Sequence, residues 1–206
     1  MGRRGKSVLR KEDEALSTRI SEYLDESFYH EVGKEFERVN DRERQVKGVD
    51  VIFDIGDKHY VADEKAAVRY RNLKTFSLEL SFVNKRGEVQ DGWLISDKME
   101  NNSYVLIWVD EQDGKESVTI ALVMKEKILR YLRDLGWTKD NLERKMSLIR
   151  NGESEYMGNI YRDGCKFSFS EQLVEKPINV LLSRDAYLQM ADVVWSGKIG
   201  NDNYLY

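Results

Sequence analysis

Cysteine occurs once, at Cys165, which excludes an intramolecular disulfide and a cysteine-built zinc site and points to a reducing compartment. Histidine occurs only at His30 and His59, leaving little for a histidine-based metal centre or a Ser-His-Asp triad; both read as structural or exposed. The glycines are scattered singly, and no glycine-rich loop of the kind that cradles a nucleotide phosphate is present. That argues against a P-loop NTPase or a nucleotide-dependent oxidoreductase. No apolar run approaches the ~20 residues that span a bilayer, and the basic start has no hydrophobic core of a signal peptide, so a cytoplasmic protein without membrane contact is expected. An excess of basic charge is missing as well. The formal net charge is −4, so any nucleic-acid contact has to come from a local basic groove.

What is present suffices for one sizeable core. A chain of 206 residues with 41% hydrophobic and 34% charged residues reads as a folded protein with a well-charged surface. The expected organisation is a basic arm over residues 1–10, carrying Arg3, Arg4 and Lys6, followed by a single domain over residues 11–206.

The most informative stretch runs from Lys47 to Lys65. Val49, Val51 and Phe53 alternate with Asp50, Ile52 and Asp54 at the period of a strand, and Gly56-Asp57 supplies the turn chemistry for a hairpin whose return strand is His59 to Lys65. Alternation places Asp63 and Lys65 on one face and Glu64 on the other. If the hairpin brings Asp50 near Asp63, the pair offers two hard oxygen ligands for a Mg²⁺-like ion, with an ammonium group close by.

Asp50 followed by Asp63-x-Lys65 on the next strand resembles the bipartite signature of the PD-(D/E)xK nuclease superfamily, with Val49 where that family often has proline. The resemblance implies a restriction endonuclease-like fold and metal-dependent phosphodiester hydrolysis, most of all of DNA. It assigns Asp50 and Asp63 to Mg²⁺ or Mn²⁺, the backbone carbonyl of Glu64 as a further ligand, and Lys65 to the attacking water and the transition state. It also implies that the helix before the first strand sometimes lends an acid, here Asp25 or Glu26. Cutting both strands of a duplex would favour a homodimer.

The remaining segments are read around this hairpin. Residues 11–28 have the apolar spacing of an amphipathic helix, and Glu35 to Arg42 reads as a first strand. Gln45 is close enough in sequence to the hairpin to be a polar site residue. Arg69, Arg71 and Lys74 follow Lys65 directly, with Tyr70 among them as an aromatic face, and are the favoured nucleic-acid contacts. Thr75 to Phe82 alternates as a strand with one buried face and carries Glu79 on its polar face, either an exposed residue or an additional acid. Ser103 to Val109 is a nearly unbroken apolar run that fits a central strand, and Val118 to Met124 is another strand. Helices are expected over Lys125 to Leu135, over Thr138 to Arg150 with Thr138 as cap, and from Arg184 to Trp195. These elements make an α/β or α+β protein, a central mixed sheet flanked by helices. Two other classes compete with the enzyme: a non-catalytic module that binds nucleic acid or protein, and a structural protein whose hairpin acids are surface charge. Proximity separates them, because only the enzyme needs Asp50, Asp63 and Lys65 together.

Overall fold

The computed structural model describes residues 14–33, 35–153, 159–199 and, for the backbone, 203–205. The expected arm at 1–10 lies outside the described residues. The chain divides into two compact units, one built from the segments up to Leu73, Asn101–Val123 and Ala191 onward, the other from Lys74–Glu100 and Met124–Met190. The protein is α+β. No helix of the described residues is long and apolar enough to cross a membrane, which says nothing of a β-barrel.

The first unit opens with helix α1, residues 14–32, whose stretch Leu24–Tyr29 is wound as a π-helix. Its apolar stripe of Leu16, Ile20, Tyr23, Leu24 and Phe28 is buried, as the spacing predicts. Strand β1 spans only Phe36–Arg38, shorter than the expected Glu35 to Arg42. Beyond it the side chain of Asp41 accepts from the Glu43 amide and caps a short helix, α2, Arg42–Val46. Local capping therefore wins over the strand reading.

The hairpin forms as expected from β2, Val51–Ile55, and β3, Lys58–Ala67. Gly56 takes φ +59°, the conformation that the first position of this two-residue turn requires and a side chain resists. β3 pairs in parallel with β6, Ser103–Gln112, whose residues from Ser103 to Val109 are all buried. β6 reverses through Asp113-Gly114, both at positive φ, into β7, Lys115–Met124.

The expected last helix is cut short. Helix character ends at Met190, and Val193–Lys198 forms strand β10, antiparallel to β7. The β-branched and aromatic run Val193-Val194-Trp195 favours a pleated surface over a helix. The result is a mixed sheet in the order β1-β2-β3-β6-β7-β10, with a three-residue strand, β11 at Asn203–Leu205, paired along the edge of β10. Phe28 and Tyr29 of α1 cover one face of this sheet. Tyr29 packs edge-on to Phe53 at 5.1 Å, Phe28 packs on Trp195 at 6.1 Å, and the Trp195 indole donates to the Tyr23 hydroxyl at 2.7 Å.

The second unit contains a sheet that the sequence reading did not separate from the first. β4, Thr75–Val83, lies between β5, Val89–Asp91, and β9, Ile178–Ser183, with β8, Cys165–Phe169, beyond, all antiparallel. Among the described residues, four helices belong to this unit: α3 at Lys125–Asp134, α4 at Lys139–Arg150, α5 at Ile160–Asp163 and α6 at Arg184–Met190. The expected Thr138 cap is in place, its hydroxyl accepting from the Asn141 amide at 3.3 Å. Arg150 of α4 donates to the buried Ser81 hydroxyl of β4 at 2.8 Å, tying helix to sheet.

Gly92 follows β5 against the backbone of β4. A Cβ there would stand 2.5 Å from the Glu79 carbonyl oxygen, which cannot withdraw without breaking the strand. Gly92→Ala is expected to cost about 1–3 kcal/mol and to lower the thermal midpoint by roughly 3–10 °C. A midpoint equal to that of the parent protein would contradict this close approach.

Candidate metal and phosphodiester site

Three local features set the position of Asp50. Gly48, at φ +80°, turns the chain out of α2 and packs so closely on Asn101 that a Cβ would meet its Oδ1 at 3.0 Å. The Asp50 amide then donates to the Ala62 carbonyl at 2.9 Å, and the Asp50 carbonyl accepts from the Val39 amide at 2.9 Å. Since Val51 faces Ala62 in the β2–β3 register, Asp50 lies opposite Asp63 at the start of that ladder. Its carboxylate Oδ2 accepts from the Glu64 amide at 2.9 Å.

Asp63 is 1% exposed. Its Oδ1 pairs with Lys65 Nζ at 2.7 Å, as expected for two residues that share a strand face. Its Oδ2 is buried and has no hydrogen-bond partner. Burial is the largest cause pushing the Asp63 carboxyl up to about 7, and the Asp50 carboxylate adds to it against the opposing pull of Lys65. The expected convergence of Asp50, Asp63 and Lys65 is therefore present in the geometry. Tyr104, the parallel-register neighbour of Asp63 on β6, is fully buried, and its hydroxyl pKa is raised by that burial and by the Asp63 charge.

Glu64 points the other way, as strand alternation requires. Its carboxylate accepts from the Tyr29 hydroxyl at 2.5 Å and pairs with Arg38 Nη1 at 2.7 Å. Arg38 also reaches Asp25, through Nε at 2.8 Å and through Nη2. Burial works against the Arg38 charge, but the hydrogen bonds it donates to Asp25 and Glu64 outweigh it and raise the guanidinium pKa. Burial raises the Glu64 pKa, opposed by Arg38 and Tyr29, and burial with the Glu64 charge raises that of Tyr29. Asp25 thus joins a network on the Glu64 face of β3, whereas Glu26 is exposed.

Gln45 is exposed and donates through Nε2 to the Val39 carbonyl at 2.9 Å, so it holds the chain ahead of Asp50. Glu79 lies on β4 and Lys74 begins the same segment, both in the second unit. Arg71 is tied down, donating to the Val68 carbonyl and pairing with Glu116 at 2.9 Å. Arg69 is exposed and lies over the ring of Tyr70, itself 60% exposed, at 6.0 Å. Arg69 and Tyr70, like Lys74, are open to solvent, whereas Arg71 is partly buried. Among the described residues, no group of three or more His, Cys, Asp or Glu gathers as a metal site, so the side-chain donors here are the two carboxylates of Asp50 and Asp63.

Tyr29, Arg38, Asn101 and Tyr104 were not among the residues expected at the site. Tyr29 continues the buried stripe of α1, Arg38 sits in the charged stretch read as a first strand, and Tyr104 belongs to a run read as a central strand. The contacts that give them roles cross between distant segments. Comparison with family models, curated proteins and solved structures finds no match to this chain.

The buried carboxyl has a consequence for stability. The folded-state value of about 7 for Asp63 lies above the ordinary 3.8. Its proton therefore favours the folded state, a contribution complete below about pH 4 and lost as pH rises through about 7, worth roughly 4 kcal/mol at most. Urea unfolding of the metal-free protein between pH 4 and 9 should show stability falling over that window, and Asp63→Asn should flatten the fall. A parent protein whose stability holds level from pH 5 to 8 would contradict the buried, raised carboxyl.

Proposed function

We propose that this protein is a metal-dependent phosphodiester hydrolase of the PD-(D/E)xK type, with a restriction endonuclease-like arrangement of its mixed sheet and DNA as its substrate. The observation that carries the reading is the convergence of Asp50, Asp63 and Lys65 at adjacent strand positions, with Asp63 Oδ2 buried and unpartnered. The donor set fits a hard divalent cation. Asp50 and Asp63 face each other at the start of the β2–β3 ladder, with Lys65 paired to Asp63, while Arg38 pairs with Glu64 and with Asp25 of α1. A buried acceptor with no donor is costly unless a proton or cation meets it.

In this reading Asp50 and Asp63 hold Mg²⁺ or Mn²⁺, with the Glu64 carbonyl as a further ligand. The ion would supply Lewis-acid polarisation of the phosphate and favour an ionised nucleophile. Lys65 Nζ, beside Asp63 Oδ1, hydrogen-bonds the attacking water. It also offsets the charge that builds on the phosphoryl oxygens as water adds to phosphorus and the opposite P–O ester bond breaks. Asp63 holds Nζ in place for this. Arg69 and Tyr70, exposed together just past β3, are suited to a phosphate and a base or sugar of the substrate. Cutting both strands of a duplex would call for a two-fold pair of such sites.

A second reading, a module that binds nucleic acid or protein without chemistry, is favoured by one observation: no third acid gathers with Asp50 and Asp63 among the described residues.

Linear and supercoiled DNA incubated with the protein should be cut in Mg²⁺ or Mn²⁺ and left intact when the metal is chelated. Asp63→Asn should abolish cutting and weaken ion binding, since the amide keeps the volume and loses the charge. Lys65→Ala should lower the rate by about 10²-fold or more while divalent-ion binding by calorimetry is largely preserved. A protein that binds no divalent ion and cuts neither DNA nor RNA across a broad panel falls to the second reading.

A further inference from the structure

The carboxylate of Asp50 is oriented by a backbone amide that is itself held from behind. That amide belongs to Glu64, and the Glu64 side chain, on the opposite face of β3, is fixed by Tyr29 of α1 and by Arg38 of β1. Arg38 is fixed in turn by Asp25, four residues before Tyr29 in the π-helical stretch of α1. A continuous line of polar contacts therefore runs from Asp25 through Arg38 and Glu64 to Asp50.

Such a network is not explained by stability alone. Burying an ion pair costs desolvation of both partners, and a well-packed apolar replacement is often as stable or more so. Tyr29 is completely buried, its hydroxyl donating to Glu64 and its ring lying under the Arg38 guanidinium at 5.2 Å. The network does hold the side chain of Glu64, the residue that follows the peptide between Asp63 and Glu64. That peptide carries the N–H aimed at Asp50, and Asp63 is the residue just before it. π-Helical turns also occur often where a helix has to present side chains to a functional site.

We propose that Glu64 is a positioning residue. Held by Tyr29 and Arg38, it sets the Asp50 carboxylate opposite Asp63 and so tunes divalent-ion affinity and turnover from the far face of the strand. The inference rests on the proposed function for its effect on turnover, but the Glu64-to-Asp50 contact is open to measurement without any catalysis.

The test compares Tyr29→Phe, Glu64→Gln and Glu64→Ala with the parent protein. Its readouts are Mn²⁺ affinity by calorimetry, kcat and KM for DNA cutting, and the exchange rate and proton chemical shift of the residue-64 amide by NMR without metal. Glu64→Ala should weaken Mn²⁺ binding and lower kcat by about tenfold or more, with KM for DNA within about twofold, as expected of a residue that touches no substrate. Its residue-64 amide should move upfield and exchange faster. Glu64→Gln, which keeps an acceptor for Tyr29 and Arg38, should restore most of each quantity. Tyr29→Phe should shift all of them in the same direction by a smaller factor, and it stands in if Glu64→Ala does not fold. Variants that fold, with the amide signal, Mn²⁺ affinity and kcat unaltered, would overturn the positioning role while leaving the proposed function standing. Absence of metal binding and cutting in the parent would remove the proposed function, and the amide signals would still decide whether Glu64 governs the contact to Asp50.

Discussion

The first unit is arranged around a carboxylate taken out of water. Asp63 lies on a strand between two others, one of its oxygens held by Lys65 and the other buried without a donor. A polar atom in that state costs free energy, and a second carboxylate opposite it raises the cost. The fold tolerates it because the neighbouring positions are fixed on all sides. β2 and β6 flank β3 in a hydrogen-bonded ladder, Gly48 turns the chain tightly against Asn101, and Tyr104 fills the adjacent position on β6. A cation or a proton relieves the strain, and the surroundings decide which by their charge.

Alternation on one strand separates two jobs that three consecutive residues perform. Asp63 and Lys65 face the proposed chemistry. Glu64 faces the aromatic interior made by Tyr29, Phe53 and Phe36, where a carboxylate survives only because Arg38 and the Tyr29 hydroxyl meet it. The two faces communicate through the Glu64 peptide, which donates to Asp50. A slip of one residue in the β2–β3 register would exchange these roles, placing Glu64 opposite Asp50 and Asp63 among aromatic rings.

Much of this was legible in the order of residues. The period of two around Asp50 and Asp63 and the glycine turn at Gly56 specify the hairpin, and period alone predicts that Glu64 turns away from its neighbours. The buried run at Ser103 to Val109 reads correctly as a central strand. The sequence reading fails where local chemistry competes with pattern. Asp41 caps a helix where a strand was expected, and Val193 to Lys198 returns to the sheet where a helix was expected to run on. The second sheet was hidden because its strands are far apart in the chain: β4 pairs with β9 about a hundred residues later, and no local signal announces such a partner. Arg71 looked like a free cation because Glu116, which pairs with it, comes 45 residues later in the chain.

The proposed function implies that Asp63 exchanges a proton for a divalent ion. Calorimetric titration of the protein with Mg²⁺ at pH 7, repeated in two buffers of different ionisation enthalpy, measures that exchange directly. With the Asp63 carboxyl near 7, the account predicts binding accompanied by release of roughly half a proton per ion, a release that vanishes in Asp63→Asn. Binding with no proton release, or no binding at any attainable Mg²⁺ concentration, would contradict it.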